Sequence, residues 1–154
     1  MSVSFPRWID GPPKYEYFSF IGDNEDGYGS EYMTIKANAL TPIPNDWSLQ
    51  EAATLPCAGL TAWRAIMEEG NLQPNETILV QGSGGVSIFA LQLAKAHGAN
   101  VIATTSSDEK AEKLKSLGAD EVVNYKEHPQ WGKEVLKLTA NEGVDHVVEV
   151  AGGE

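Results

Sequence analysis

The stretch from residue 77 to residue 87 constrains the fold more than any other part of the chain. It opens with a short apolar run that predicts a buried parallel strand, and it then turns through Gly82, Gly84 and Gly85. Residues 86–94 repeat apolar side chains at helical spacing. A glycine turn between a strand and a helix directs bare backbone N–H groups and the positive end of the helix at one point. That arrangement favours a bound phosphate.

The glycines nearly fit the pattern of a dinucleotide-binding turn. Gly82 and Gly84 occupy its first two places, but the third place, where close packing of helix on strand favours glycine or alanine, holds Ser87. A plain strand–helix turn without a ligand has the same appearance, so the pattern alone leaves that alternative open. The strand–helix units that follow favour the nucleotide-binding interpretation.

Strands and helices alternate regularly after residue 73. We predict strands over 77–81, 100–104, 121–124 and 145–150, and helices over 85–97, 107–117 and 129–140. Gly98 and Gly118 mark left-handed helix ends, and Ser106 with Glu109 predicts a capping box. Alternation at this spacing requires a parallel sheet. The predicted fold class is therefore α/β, with an incomplete, doubly wound, Rossmann-type sheet.

The first third of the chain lacks this regularity. Residues 1–30 contain aromatic side chains without a clean period, and residues 31–35 predict a strand. Ser48 and Glu51 predict a capping box at the start of a short helix, and a second helix is expected over 59–69 with its end at Gly70. We place a boundary between residues 45 and 60.

Composition narrows the classes of partner and compartment. The net charge of −11 argues against nucleic acid and anionic membranes, which both favour a basic surface. No apolar run is long enough to span a membrane, and the first residues lack the apolar centre of a signal peptide, so a cytoplasmic protein is expected. Cys57 is the single cysteine, which excludes an intrachain disulfide and a cysteine-rich zinc site.

Several ordered motifs resemble those of the medium-chain dehydrogenase/reductase superfamily, in its branch of zinc-type alcohol dehydrogenases and quinone oxidoreductase-like proteins. They are the segments EAATLPCAGLTAW at 51–63, QGSGGV at 81–86, LGAD at 117–120 and NY at 124–125. The resemblance implies that the chain is an internal fragment. Residues 1–46 would be the remnant of a GroES-like catalytic domain, and residues 47–154 would be the first four strands of an NAD(P)-binding domain.

The resemblance also implies an activity. Members of this branch are NAD(P)-dependent oxidoreductases that transfer hydride between nicotinamide and a carbonyl, alcohol or enone, and a homo-oligomer is expected for the parent protein. Three alternatives stay open: an enoyl-thioester reductase of the same superfamily, a catalytically inactive nucleotide-binding fragment, and a methyltransferase-like binder. The last usually has an acid before the glycine turn, where this chain has Gln81. No catalytic residue is assigned.

The resemblance carries a set of cofactor-binding candidates. The end of the second strand has no acid to hold a ribose 2′-OH, so NADP is preferred over NAD. Lys110 and Tyr125 match positions that contact the 2′-phosphate in quinone oxidoreductase-like members, although a solvated helix face explains Lys110 equally well. Thr61 either lies near the nicotinamide or bonds back into its own helix. The full set is Thr61, Gly82, Gly84, Gly85, Val86, Thr105, Ser106, Lys110 and Tyr125.

A zinc ion is not assigned. Cys57 matches the position of a zinc ligand in zinc-type members, but a lone cysteine is more often a small, buried apolar residue. The three histidines, His97, His128 and His146, favour structural roles over catalysis.

Overall fold

The fold comes from a computed structural model, which describes residues 1–3, 5–18, 21–23, 26–150 and 152. Its contacts divide the chain into two compact units, Met1–Cys57 and Ala58–Glu154. The assignment of 1–46 and 47–154 to two domain families stays a prediction. Across the described part of the chain, none of the helices is both long and apolar enough for a membrane crossing.

The first unit is largely irregular. It contains two short 3-10 helices, Tyr15–Tyr17 and Ala37–Ala39, and an isolated antiparallel bridge between Ser2 and Leu40. The strand predicted over 31–35 is wrong, because within the described chain these residues pair with no neighbouring strand. Tyr32 is 91% exposed, so no burial on one face fixes an extended register there.

Helix α1, Leu49–Ala52, begins at the predicted capping box. The Ser48 hydroxyl accepts from the Glu51 N–H at 3.2 Å, and the Glu51 carboxylate accepts from the Ser48 N–H at 2.9 Å. Two backbone N–H groups that the first turn leaves unpaired are thereby satisfied.

The second helical segment starts earlier than predicted. Helix α2, Leu60–Trp63, is flanked by wider π-helical turns over Leu55–Gly59 and Arg64–Glu69. Gly70 is not the left-handed end of this segment, because its φ is −77°. Asn71 takes that conformation, with φ 48°, since asparagine tolerates the left-handed region better than most residues.

The second unit is a parallel four-stranded sheet with alternating helices. Its strands are β1 (Thr77–Val80), β2 (Asn100–Thr105), β3 (Glu121–Asn124) and β4 (His146–Val148), in the order β3-β2-β1-β4. The connecting helices are α3 (Gly85–Ala96), α4 (Asp108–Ser116) and α5 (Trp131–Leu138). The order runs outward from β1 in both directions, and it confirms the predicted Rossmann-type fold.

Both faces of the sheet are covered, which explains the continuous apolar runs of its central strands. One face buries Ile78 and Val80 of β1 against the side of α3 that carries Ala90, Leu91 and Ala94, and Leu114 of α4 joins the same cluster. The other face buries Leu79, Ile102 and Val123 against Val135 of α5. The strands therefore alternate between two cores, and the chain is wound on both sides.

The predicted end of β2 and start of α4 are wrong by one residue each. β2 continues through Thr105, which pairs with Asn124 of β3, and this moves the helix cap one position along the chain. The cap is Ser107, whose hydroxyl accepts from the Lys110 N–H at 3.5 Å, instead of the predicted Ser106. The left-handed helix ends at Gly98 and Gly118 are confirmed, with φ 88° and 109°.

Asp120 ties three elements together at the amino end of the sheet. Its carboxylate accepts from the Val101 N–H at 2.7 Å and from the Lys95 ammonium at 2.8 and 2.9 Å. Burial tends to raise the pKa of Asp120, but the hydrogen bonds from Lys95 and Val101 outweigh it and hold the pKa below its usual value. The ionised form therefore stabilises the junction of α3, β2 and the residue before β3.

We expect Asp120→Asn to lower the free energy of unfolding by at most about 1 kcal/mol, because the carboxylate is partly exposed. The folded-state pKa is lowered, so the stabilisation is present above the unfolded value near 3.8 and is lost as the pH falls through the folded value. Urea denaturation from about pH 7 to about pH 3 should show the difference shrinking. The control Glu134→Gln removes a single ion pair, with Lys137 of the same helix, and should change stability less. A difference independent of pH would contradict the account.

Candidate functional site

The glycine turn lies at the carboxyl edge of the sheet, between β1 and α3. Gly82 has φ 77°, in the left-handed region that glycine enters without a steric penalty. Gly84 is the N-cap of α3, with φ −78° and ψ 174°, and no side chain caps the helix there. The N–H groups of the first turn of α3 therefore face outward without a capping side chain, which suits an anionic ligand.

The turn also leaves room for a ligand to approach its backbone. A Cβ placed at Gly82 or Gly84 meets no atom within 4 Å, so the space in front of both residues is open. Gly85 differs, because a Cβ there would lie 3.3 Å from the Ala58 Cβ. Gly85 thus serves close packing of α3 on the preceding helical segment, which differs from the helix-on-strand packing served by the third glycine of the dinucleotide pattern.

Two buried hydroxyls hold the entry to the turn. Ser87 is 2% exposed, and its hydroxyl donates to the Gln81 carbonyl at 2.7 Å. Thr104, near the end of β2, is 3% exposed, and its hydroxyl accepts from the Gly82 N–H at 3.1 Å. The contact of Thr104 with the turn was not predicted from the sequence. The sequence feature that could have indicated it is the pair Thr104 and Thr105, two hydroxyl residues at the end of an otherwise apolar strand.

The predicted residues after β2 and β3 lie at the same edge of the sheet. Thr105 pairs with Asn124, and the Tyr125 N–H donates to the Thr105 carbonyl at 2.9 Å. Thr105 is 1% exposed, and its hydroxyl has no hydrogen-bond partner among the described residues. Tyr125 is 40% exposed, and Lys110 is exposed in the first turn of α4.

Asp108 is an acid in the first turn of α4, beyond the end of β2, and its side chain contacts the end of β3. Its carboxylate accepts from the Asn124 side-chain amide at 3.2 Å. The contact links α4 to the end of β3 and also places a negative charge at the helix N-terminus, where it is favourable. Ser106 precedes the cap and is partly buried.

Thr61 and Cys57 are both exposed. No hydrogen bond from the Thr61 hydroxyl to its own helix is found in the described chain, so the alternative that Thr61 bonds back into α2 is not supported. The alternative of a buried, apolar Cys57 is wrong. The described residues contain no group of three or more His, Cys, Asp or Glu side chains that could hold a metal ion. Zinc binding by Cys57 stays a prediction.

Two of the three histidines, His97 and His146, have structural surroundings. His97 is the C-cap of α3, where partial positive charge is favourable. His146, at the start of β4, hydrogen-bonds to the Glu76 carboxylate at 2.9 Å. The Gln73 N–H and this contact with His146 lower the pKa of Glu76. Glu76 precedes β1 and His146 begins β4, so the pair lies at the amino edge of the sheet, opposite the glycine turn.

Comparisons with known proteins agree with this geometry. Residues 85–154 match the family model described as zinc-binding dehydrogenase. A zinc-type alcohol dehydrogenase-like protein of Schizosaccharomyces pombe is 46% identical over 151 residues, which are 96% of this chain and 44% of that protein. This chain therefore spans less than half the length of that relative.

Two solved structures show the same fold. An alcohol dehydrogenase from Sinorhizobium meliloti superposes with a TM-score of 0.90 at 42% identity, over 99% of this chain and 46% of that one. A quinone oxidoreductase from Pseudomonas syringae gives 0.70 at 37% identity, over 75% of this chain and 35% of that one.

The sheet order and the glycine turn define a Rossmann-type nucleotide-binding fold. The chain belongs to the medium-chain dehydrogenase/reductase superfamily, in its branch of alcohol dehydrogenase-like and quinone oxidoreductase-like proteins. The resemblance drawn from the sequence motifs is thereby confirmed.

The conformation of Gly82 can be tested by stability. Gly82→Ala should lower the free energy of unfolding by about 1–2 kcal/mol, because a Cβ is disfavoured in the left-handed region. Gly132→Ala is the matched control, since Gly132 lies in α5 and an added Cβ there meets no atom within 4 Å. The control should be neutral or stabilising by up to about 1 kcal/mol. Equal destabilisation in urea denaturation would contradict the left-handed assignment.

Proposed function

We propose that the protein is an NAD(P)-dependent oxidoreductase that transfers hydride between a nicotinamide cofactor and a carbonyl, alcohol or enone. The observation that carries this proposal is the uncapped N-terminus of α3 behind an open glycine turn, at the point where the strand order reverses between β1 and β4. In open α/β sheets ligands bind in this crevice. The names of the similar proteins, which are dehydrogenases and oxidoreductases, support the same class.

The residues present fit a dinucleotide. The backbone N–H groups from Gly84 to Val86 would hold the pyrophosphate, with Gly82 and Gly84 leaving the space for it. This local set of donors matters because the chain has a net charge of −11, which repels an anion at long range. A bound nicotinamide ring supplies the hydride chemistry, and the protein supplies position and electrostatics. Thr61, on α2, is the candidate for a hydroxyl near the nicotinamide half.

NADP is the proposed form of the cofactor. β2 ends at Thr105 and is followed by Ser106, without an acid that would repel a 2′-phosphate. Lys110 and Tyr125 flank this end of the sheet, and Lys110 has no ion pair with a described residue, which leaves its charge for a phosphate. Asp108 is already bonded to Asn124, so its carboxylate is committed elsewhere.

The remaining assignments are proposals for the whole protein. Residues 1–46 are assigned to a GroES-like catalytic domain, residues 47–154 to the NAD(P)-binding domain, and the assembly to a cytoplasmic homo-oligomer. Cys57 is the candidate zinc ligand, in a zinc-dependent variant of the mechanism.

The activity is tested with the full-length protein by following nicotinamide absorbance with NADPH or NADH and three substrates: an aldehyde, a quinone and an enoyl thioester. We expect oxidation of NADPH with the aldehyde or the quinone, while turnover of the thioester alone would favour an enoyl reductase. Gly84→Ala should weaken NADPH binding by about tenfold or more, because its methyl group occupies the phosphate path. Absence of both binding and turnover would refute the proposal.

The choice of NADP is tested by the dissociation constants of NADPH and NADH, measured by quenching of tryptophan fluorescence. Lys110→Ala should raise the NADPH constant about fivefold and leave the NADH constant unchanged, because an exposed charge pair contributes at most about 1 kcal/mol. Lys113→Ala, an exposed lysine of the same helix, is the control. Tighter binding of NADH by the wild type would reverse the assignment.

A further inference from the structure

The peptide group that joins Gln81 to Gly82 is hydrogen-bonded at both ends by buried side-chain hydroxyls. Its carbonyl accepts from the Ser87 hydroxyl at 2.7 Å, and its N–H donates to the Thr104 hydroxyl at 3.1 Å. The two hydroxyls come from different elements, α3 and β2, and both residues are at most 3% exposed. One peptide plane is thus held from two directions by buried side chains, although Gln81 and Gly82 themselves are partly exposed.

The position of this peptide explains why such a restraint is useful. It follows the end of β1 at Val80 and leads into the turn, and its orientation sets the direction in which the following backbone N–H groups point. Glycine at position 82 permits both left-handed and right-handed backbone conformations. The turn therefore needs an external restraint to select one of them.

A rotated peptide would be costly in this environment. Rotation would remove the carbonyl from Ser87 and the N–H from Thr104, leaving buried polar groups unpaired. The preceding residue is also restrained, because the Gln81 N–H lies 3.4 Å from the Val148 carbonyl of β4. The start of the turn is consequently fixed to β4, α3 and β2 at once.

We propose that Ser87 and Thr104 are positioning residues, which fix the Gln81–Gly82 peptide and thereby pre-organise the turn for the cofactor pyrophosphate. This inference rests on the proposed function, because it names what the two hydroxyls do for the same site. Neither hydroxyl needs to touch the cofactor, since both act through the backbone of the turn. Pre-organisation strengthens binding by removing the cost of ordering the site when the ligand arrives.

This arrangement explains why a serine, Ser87, can stand in the third place of the glycine pattern. Ser87 is 2% exposed, so its small side chain fits the close packing at this place, and its hydroxyl also holds the Gln81 carbonyl. The departure from the dinucleotide pattern is therefore a second way of fixing the same turn.

The test compares variants that keep the shape of the side chain and remove the hydroxyl. Thr104→Val and Ser87→Ala in the full-length protein should each raise the NADPH dissociation constant about fivefold to tenfold, since a buried hydrogen bond contributes about 1 kcal/mol. Thr104→Ser should restore affinity to within about twofold of the wild type. The double variant should lose less than the product of the single effects, because either loss frees the same peptide.

A readout at the peptide itself separates positioning from packing. Hydrogen exchange of the Gly82 N–H in the cofactor-free protein should quicken at least tenfold in Thr104→Val and return toward the wild-type rate in Thr104→Ser. Thr139→Val is the control: Thr139 donates to the Val135 carbonyl at the end of α5, so its loss should leave NADPH affinity unchanged. If Thr104→Val does not fold, Ser87→Ala and Thr104→Ser decide the question.

The outcomes distinguish this inference from the proposed function. A wild-type protein that binds neither NADPH nor NADH overturns both. A wild-type protein that binds, with Thr104→Val and Ser87→Ala within about twofold of it, overturns the positioning role alone. Equal losses in Thr104→Val and Thr104→Ser also overturn that role, because Thr104→Ser keeps the hydroxyl, and its loss of affinity would point to side-chain packing instead.

Discussion

The burial of β1 on both faces is the constraint on which the second unit depends. Ile78 and Val80 face one core and Leu79 faces the other, so a helix is needed on each side of the strand. The chain meets this need with crossovers in opposite directions from β1, which gives the order β3-β2-β1-β4. The same order opens a crevice at the carboxyl edge. The site is therefore a consequence of how the apolar strand is covered.

Local donors, not overall charge, make that crevice suitable for an anion. The chain carries a net charge of −11, and long-range electrostatics oppose a phosphate-bearing ligand. The backbone N–H groups of the first turn of α3, which no side chain caps, offset this repulsion locally, and α4 contributes Lys110 beside the end of β2. Asp120 and Glu76, two carboxylates that accept hydrogen bonds from backbone N–H groups, lie at the opposite edge of the sheet.

Regular elements with strong apolar periodicity were predictable from sequence, and so was the glycine turn. The errors fell where the deciding interaction is tertiary. Residues 31–35 have the composition of a strand but pair with no strand among the described residues, and the cap moved to Ser107 because pairing with Asn124 lengthened β2. Asn71 replaced Gly70 as the left-handed residue. Thr104 was missed because its role depends on Gly82, a neighbour 22 residues away in sequence.

The contact between Gly85 and Ala58 limits which substitutions the two positions can accept during evolution. A Cβ at position 85 would stand 3.3 Å from the Ala58 Cβ, which is closer than almost all such pairs tolerate. These two small residues act as a spacer of fixed width between α3 and the helical segment before it. Enlarging either one would push α3 along or away from the sheet and shift its amino end. The two positions are therefore expected to covary, so that a larger side chain at one position occurs together with a smaller side chain at the other.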